Sequence, residues 1–465
     1  MITEFSNFAA RLRETILSEG RVLRGPDSEL RTLNSKLQCL NGSSWNSPLR
    51  NFEALALELF ALQFKHNAPY RKICEVRGLT PGVVEHWTQI PAVPTAAFKE
   101  LELTCLAPGE RTTVFHSSGT TEQKPSRHFH SPESLKLYEA SLIPWFMKNV
   151  LADLRFTIDD LRLVCLTPPP AQAPHSSLVH MFETIRQKLG GARVPAHSSR
   201  RSRWSGEGGS HAFLGSIAAD GSWTLDFAAA VDLLSPRRQP ASPKRKHEGG
   251  TPACLAEARV RRRDARPRLL LGTAFSFVHL LDYLAERNLR FDLPAGSRVM
   301  ETGGYKNRSR SMPKAELHQL ITERLGVPPS YIICEYGMSE LSSQAYDGTS
   351  QVNDLNLLHP GPLPEGEGQG EGKRAVKTHY FHFPPWVRVQ IVSPETGREV
   401  ADGDTGLIRV FDLANVFSVM AIQTEDLGIR RGDGFELIGR AQLAEPRGCS
   451  LMSHSTFRIP QSVIK

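Results

Sequence analysis

The chain predicts an α/β protein of layered sheets and helices with a β-rich part toward its end, and three observations carry that expectation. Strand-like apolar runs at Leu161–Thr167, Leu269–Leu271 and Tyr331–Cys334 alternate with helical spacing at Ser276–Arg287 and Lys314–Leu325, the pattern of strands interleaved with helices that builds α/β layers. From Val387 to Val392 and Gly406 to Phe411 the pattern changes to strands separated by turn signals, Pro394-Glu395-Thr396-Gly397 and Asp402-Gly403-Asp404. Finally, 465 residues at 40% hydrophobic and 23% charged are enough to bury a large core, and unlike a disordered or fibrous chain.

Taken in order, the first hundred residues read mainly helical. Phe52, Leu55, Leu57, Leu59, Phe60 and Leu62 form an apolar stripe that Asn67-Ala68-Pro69 stops, as a proline just past an apolar repeat ends a helix. Pro91, Pro94 and Phe98 follow as an extended approach, and Thr113-Val114-Phe115 reads as a short strand delivering a loop of small and hydroxyl residues. The expected division is a helical part over 1–100, a main domain over 101–440 and a short tail over 441–465. No internal repeat is evident, and Gly366–Gly372 is a glycine- and acid-rich loop.

Several function classes are disfavoured at once. No stretch approaches the ~18 apolar residues of a membrane span, and Met1-Ile2-Thr3-Glu4-Phe5 lacks the basic start and apolar core of a leader, so the expected location is cytoplasmic. The seven cysteines are scattered with no C-x-x-C pair, against a disulfide scaffold or a structural zinc site. The net charge of +7 is concentrated, since Ser235–Pro267 holds ten Lys or Arg against three acids. Its prolines, serines and glycines and its lack of aromatics read as a solvated basic loop rather than a base-stacking element, which disfavours nucleic acid as partner.

Three boxes carry chemistry. In Ser117-Ser118-Gly119-Thr120-Thr121, followed by Lys124 and Arg127, small residues let backbone N–H groups approach phosphate oxygens, hydroxyls add donors and a cation answers the charge. A Ser/Thr/Gly run alone is also an ordinary turn. Tyr336-Gly337-Met338-Ser339-Glu340 offers an aromatic face for adenine, a hydroxyl for phosphate and a carboxylate, Glu340, for the Mg²⁺ that accompanies a nucleotide; the bland alternative is a capped helix start. In Thr424-Glu425-Asp426-Leu427-Gly428, the two oxygens of Asp426 match a vicinal diol, and otherwise Asp-Leu-Gly would be a turn.

In this order the boxes resemble the adenylate-forming superfamily (acyl-CoA synthetases, peptide-synthetase adenylation domains, firefly luciferase): a phosphate loop, a tyrosine-and-glutamate motif and a ribose-binding aspartate motif. Gly439-Arg440 is similar to that superfamily's arginine before its interdomain hinge. A closer resemblance, from about Phe52 to the end, is to the acyl-protein synthetases of the bacterial luminescence type, which feed a fatty-acid reductase. Met300-Glu301-Thr302-Gly303-Gly304-Tyr305-Lys306, the box Glu335 to Asp347 and Arg447-Gly448-Cys449-Ser450-Leu451 match it. The resemblance implies the superfamily's large N-terminal domain without its mobile C-terminal domain, ATP and Mg²⁺ as cofactors, and a fatty acid as substrate. It also implies Cys449 as the residue that takes the acyl group for a partner, a fatty-acid reductase. A CoA ligase, or a basic nucleic-acid-binding protein of another class, remains the alternative.

One departure matters: Glu122 follows Thr121 where the superfamily usually has glycine, so phosphate binding would lean more on Lys124 and Mg²⁺. The leucines Leu269–Leu271 with Phe275, Phe277, Leu280 and Leu281 either line an alkyl tunnel or pack as core. His116, His128 and His130 either serve phosphate and proton transfer or are plain polar residues.

Overall fold

The computed structural model describes residues 2–19, 49, 51–117, 124–151, 161–190, 211–235, 266–303, 312–347 and 380–441. Helix α1 (Ile2–Glu19) buries Phe5, Phe8, Ala9, Leu12 and Ile16, a single stripe at helical spacing. The stripe foreseen from Phe52 forms α2 (Phe52–His66), burying Phe52, Leu55, Ala56, Leu59 and Phe60. Asn67 does more than stop it. Its side chain accepts from Tyr70 N at 3.1 Å and so caps α3 (Ala68–Val76), with Pro69 in the first turn.

The extended approach is a short strand, β1 (Val93–Pro94), followed by α4 (Ala97–Glu100) and the hairpin β2 (Thr113–His116) and β3 (Arg127–His130). Then come α5 (Pro132–Leu151), β4 (Arg162–Cys165), α6 (Ser177–Gly190), β5 (His211–Phe213), β6 (Gly215–Ile217), β7 (Trp223–Leu225), α7 (Phe227–Leu234) and β8 (Arg268–Thr273). Helix α8 (Ala274–Glu286) starts on Thr273, whose side chain accepts from Ser276 N at 3.0 Å. The chain continues through β9 (Arg298–Thr302), α9 (Lys314–Leu325), β10 (Ile332–Tyr336) and β11 (Ala345–Tyr346). It closes on β12 (Val387–Val392), β13 (Thr405–Asp412), β14 (Ala421–Arg431) and β15 (Gly434–Arg440).

Two sheets organise these elements. In the six-stranded sheet the order is β11-β10-β9-β8-β4-β5, parallel except for β11, which runs against β10. Both faces are covered, as a parallel sheet requires. Leu163, Cys165, Leu269, Leu271, Met300 and Ile333 face a core shared with α1, α2, α5 and α6. Their alternates Val164, Leu166, Leu270, Val299 and Ile332 face α7, α8 and α9. The second sheet has the order β1-β14-β13-β12, with β15 also on β14, and its Ile391, Ile408, Val410 and Ile422 join the first core.

The leucine run of β8 is therefore core on both faces, and Phe277, Leu280 and Leu281 of α8 are at most 3% exposed. This decides the earlier alternative for those side chains in favour of packing. Among the described residues no helix is long and apolar enough to cross a membrane. The basic segment between Ser235 and Arg266 and the tail after Ala441 lie outside the described residues.

Candidate functional site

The hairpin β2/β3 presents the first box at its tip. Ser117 is described; Ser118, Gly119, Thr120 and Thr121 lie outside the described residues. At the base of the loop, Ser117 Oγ accepts from Ser126 N at 3.0 Å, and Ser126 Oγ donates to Glu340 Oε1 at 2.5 Å. Ser339 Oγ donates to His116 O at 3.1 Å, while His128 Nδ1 lies 2.7 Å from Ser339 O, so His128 carries its proton on Nδ1 there. The first and second boxes, over 200 residues apart, are stitched together by these bonds. Lys124 is turned elsewhere: exposed, it pairs with Glu100 Oε2 of α4 at 3.5 Å, an arrangement worth little in water.

The second and third boxes meet directly. The Tyr336 hydroxyl, at the end of β10, donates to Asp426 Oδ2 at 3.0 Å. Its ring is packed among Phe381, Phe383 and Phe435, with centroids at 5.9, 6.2 and 5.3 Å. The other carboxylate oxygen, Asp426 Oδ1, accepts no hydrogen bond among the described residues. Burial pushes the Asp426 carboxyl up, against the lowering effects of the Tyr336 bond and of Arg440. Arg440 stands opposite Asp426 in the β14/β15 register, and its Nη2 donates to Glu425 Oε2 at 2.7 Å. At Gly337 a Cβ would meet Glu335 Oε1, the far end of a side chain, so the two residues lie close together behind Tyr336.

Two bland alternatives drop out. After β10 no helix begins at Ser339-Glu340, so the box is not a capped helix start. Asp426-Leu427-Gly428 is not a turn but the interior of β14, where the register shifts between Leu427 and Gly428. Glu340 is 4% exposed. Among the described residues no group of three or more His, Cys, Asp or Glu is placed to hold a metal ion.

His128 and His130 are buried inside the hairpin rather than presented to a ligand. Burial lowers His128 to about 4 and drives His130 well below the usual range. His130 Nε2 and His180 Nε2 have no hydrogen-bond partner among the described residues, while Phe115 packs 4.7 and 5.2 Å from their rings. His116, partly buried, stacks on His175 at 4.8 Å. Both buried rings are held neutral, so their contribution to stability is complete above the unfolded value of 6.5 and is lost as pH falls through that value toward the folded one. The hairpin should loosen between pH 6.5 and 4, with roughly 3 kcal/mol at stake from His128 alone. Urea midpoints measured across that range should drop steeply in the wild type and less in His128→Asn; equal slopes would show that His128 is not the group responsible.

The described cysteines are Cys74, Cys105, Cys165 and Cys334, all free. Burial pushes the Cys74 thiol up to about 12 and those of Cys105, Cys165 and Cys334 upward as well, so none of the four is a thiolate near neutrality. Cys39, Cys254 and Cys449 lie outside the described residues.

Sequence reading missed Ser126, which ties the loop to Glu340, and the pair formed by Thr302 and Glu335, whose side chains are bonded to each other. It also missed that His128 and His130 point inward. The alternation Arg127-His128-Phe129-His130 carries that signal once β3 is known to have one buried face, but histidine at a core position is too uncommon to be read that way unaided.

No family model matches the chain. It is similar to the long-chain-fatty-acid–luciferin-component ligase of Vibrio harveyi, at 21% identity over 407 residues, 86% of each chain. It is similar also to the protein of the same description from Aliivibrio fischeri, at 28% over 193 residues, 39% of this chain and 44% of that one. The aligned part thus spans less than half of the second relative. Among solved structures, an open conformation of 2-hydroxyisobutyryl-CoA ligase with 2-HIB-AMP and CoA matches 91% of this chain and 82% of its own at TM-score 0.53 and 14% identity. The same ligase in its postadenylation state matches 91% and 74% at TM-score 0.52 and 13% identity. The fold is that of the adenylate-forming ligases, and the resemblance carried by the motifs is met by similarity along most of the chain.

Proposed function

We propose that this chain activates a long-chain fatty acid with ATP, giving acyl-AMP and pyrophosphate, and then passes the acyl group to Cys449 as a thioester for delivery to a partner protein such as an acyl reductase. The single observation that supports it most is the convergence of boxes distant in sequence through Ser126–Glu340 and Tyr336–Asp426. The relatives named as fatty-acid ligases support the substrate class.

A carboxylate resists nucleophiles because attack adds charge to an anion; attack of one carboxylate oxygen on the α-phosphorus expels pyrophosphate and attaches AMP through that oxygen, which makes it a leaving group. In this reading Asp426 binds the ribose through the oxygen that Tyr336 leaves open. Ser117 to Thr121 cradle phosphate with backbone N–H groups and hydroxyls, while Lys124 leaves Glu100 for the incoming charge and Arg440 adds a second cation. Bringing two anions together in line needs positioning and charge neutralisation more than acid–base chemistry. Glu340 and Ser339 flank the phosphate side, and Glu340 would hold the Mg²⁺ whose charge helps neutralise the phosphates.

For the second half, the upward-shifted thiols of Cys74, Cys105, Cys165 and Cys334 argue against those four as acceptors; of the remaining Cys39, Cys254 and Cys449, the family resemblance of Arg447-Gly448-Cys449-Ser450-Leu451 singles out Cys449, with Arg447 as the neighbouring cation that lowers its pKa. Free thiols also suit a reducing cytoplasm. The experiment is pyrophosphate exchange into ATP with palmitate, followed by intact mass. Acid-dependent exchange and a hydroxylamine-labile acyl adduct are expected. Exchange without an adduct, but with acyl-CoA formed when CoA is supplied, would instead establish a CoA ligase, the activity of the solved structures that share the fold.

A further inference from the structure

Behind the Tyr336–Asp426 pair lies a second carboxylate that the proposed chemistry does not use. Glu335 is 5% exposed. Thr302 Oγ1 of β9 donates to its Oε2, and its Oε1 lies against the backbone of Gly337. The groups facing it from the surrounding elements do nothing to balance a charge. Glu301 of β9 is a like charge, itself paired with His318 Nε2 at 3.3 Å and within the field of Lys314. Tyr138 of α5, Tyr336 of its own strand and Tyr346 of β11 are neutral phenols whose ionisation Glu335 opposes. Tyr346 stands directly opposite in the β10/β11 register, and its buried hydroxyl has no hydrogen-bond partner among the described residues. Beyond the phenols lie Asp426, behind Tyr336, and Asp412, behind Tyr138. No Lys, Arg or His among the described residues forms an ion pair with Glu335.

A buried carboxylate with one hydroxyl donor, acids on its far sides and no cation is easily pushed to its neutral form. Resting on the function proposed above, we infer that Glu335 is a positioning residue that takes up one proton when the anionic substrates enter beside it, so that substrate activation is tied to pH. The proton comes from solvent and forms one carboxyl O–H bond with no other bond made or broken, and the neutral carboxyl leaves Tyr336 and Gly337 in place without adding a charge to those of the nucleotide and the acid. Burial, opposed by the Thr302 bond, already holds this carboxyl up at about 7, within reach of a modest change in local potential.

The experiment compares wild type, Glu335→Gln and Thr302→Val in pyrophosphate exchange with palmitate from pH 6 to 9, and measures proton uptake on binding of Mg²⁺-ATP calorimetrically in buffers of different ionisation heat. In wild type, kcat/KM should fall above neutrality by about tenfold per pH unit, the signature of a single linked proton. At pH 8 ATP binding should take up close to one proton more than in Glu335→Gln. Glu335→Gln should retain exchange and lose the alkaline fall. Thr302→Val removes the bond that favours the ionised form, so its fall should move to higher pH by about one unit. A Glu335→Gln profile that superimposes on wild type overturns the inference and leaves activation standing. If that variant does not fold, an alkaline limb unmoved in Thr302→Val overturns it equally. Absence of exchange in wild type at every pH defeats the underlying function and the inference with it.

Discussion

Asp426→Ala is expected to reduce acid-dependent pyrophosphate exchange by about 10²–10³-fold, the loss that follows removal of one preorganised charged contact from a water-poor site. The carboxylate sits mid-strand in β14, with Oδ2 fixed by the Tyr336 hydroxyl at 3.0 Å and Oδ1 open. Burial makes its charge expensive, and the Tyr336 bond and Arg440 offset part of that cost. A group kept ionised against desolvation pairs strongly with a diol that fits it. Tyr336→Phe tests the scaffold rather than the contact. Losing one hydrogen bond to a charged acceptor costs about 1.5–3 kcal/mol, so a deficit of roughly tenfold to a hundredfold is expected, smaller than that of Asp426→Ala. The double variant should fall short of the sum of the two, because the residues act as a unit. Initial rates over a matrix of ATP and palmitate concentrations decide the matter. Near-wild-type exchange in Asp426→Ala would remove this carboxylate from the nucleotide site.

Cys449→Ala is expected to abolish the hydroxylamine-labile adduct entirely while leaving pyrophosphate exchange within about twofold of wild type, since nucleophile and activation belong to separate steps. The four described thiols make this a sharp test. At a pKa of about 12, Cys74 holds roughly 10⁻⁵ of its population as thiolate at neutral pH, and Cys105, Cys165 and Cys334 are likewise shifted upward by burial. An adduct persisting in Cys449→Ala would therefore direct attention to Cys39 or Cys254, and peptide mapping of the labelled chain would tell them apart.

Much of the fold was legible because periodicity and burial agree. Lys314–Leu325 has the same bounds in the sequence reading and in α9, and Val387–Val392 the same as in β12. The legible elements bury one or both faces in apolar side chains. Helix α5 was not foreseen: Pro144 lies inside it, and polar Ser134 and Ser141 lie on its buried face, so its stripe is interrupted where it matters. The strand around Asp426 escaped for a related reason. Its first four residues are buried and the next three are not, which suits a site and blurs a strand. Of the site, residue types and order were readable. The contacts that join the boxes were not, since Ser126–Glu340 and Tyr336–Asp426 pair residues 214 and 90 positions apart, and hydrogen bonds of that kind leave no local trace.

The pairing of β1 with β14 has a consequence for biosynthesis. Val93 and Pro94 lie alongside Ile422 and Gln423, and Thr95 N donates to Gln423 O at 3.0 Å, so an early segment waits for a late one. Between emergence of Pro94 and of its partner Gln423 (423 − 94 = 329 positions), the ribosome needs roughly 15–65 s. During that interval β1 has no β14 to pair with, and the core positions that Ile408, Val410 and Ile422 will fill are without those side chains. The bond that joins Tyr336 to Asp426 forms only once β14 has been made.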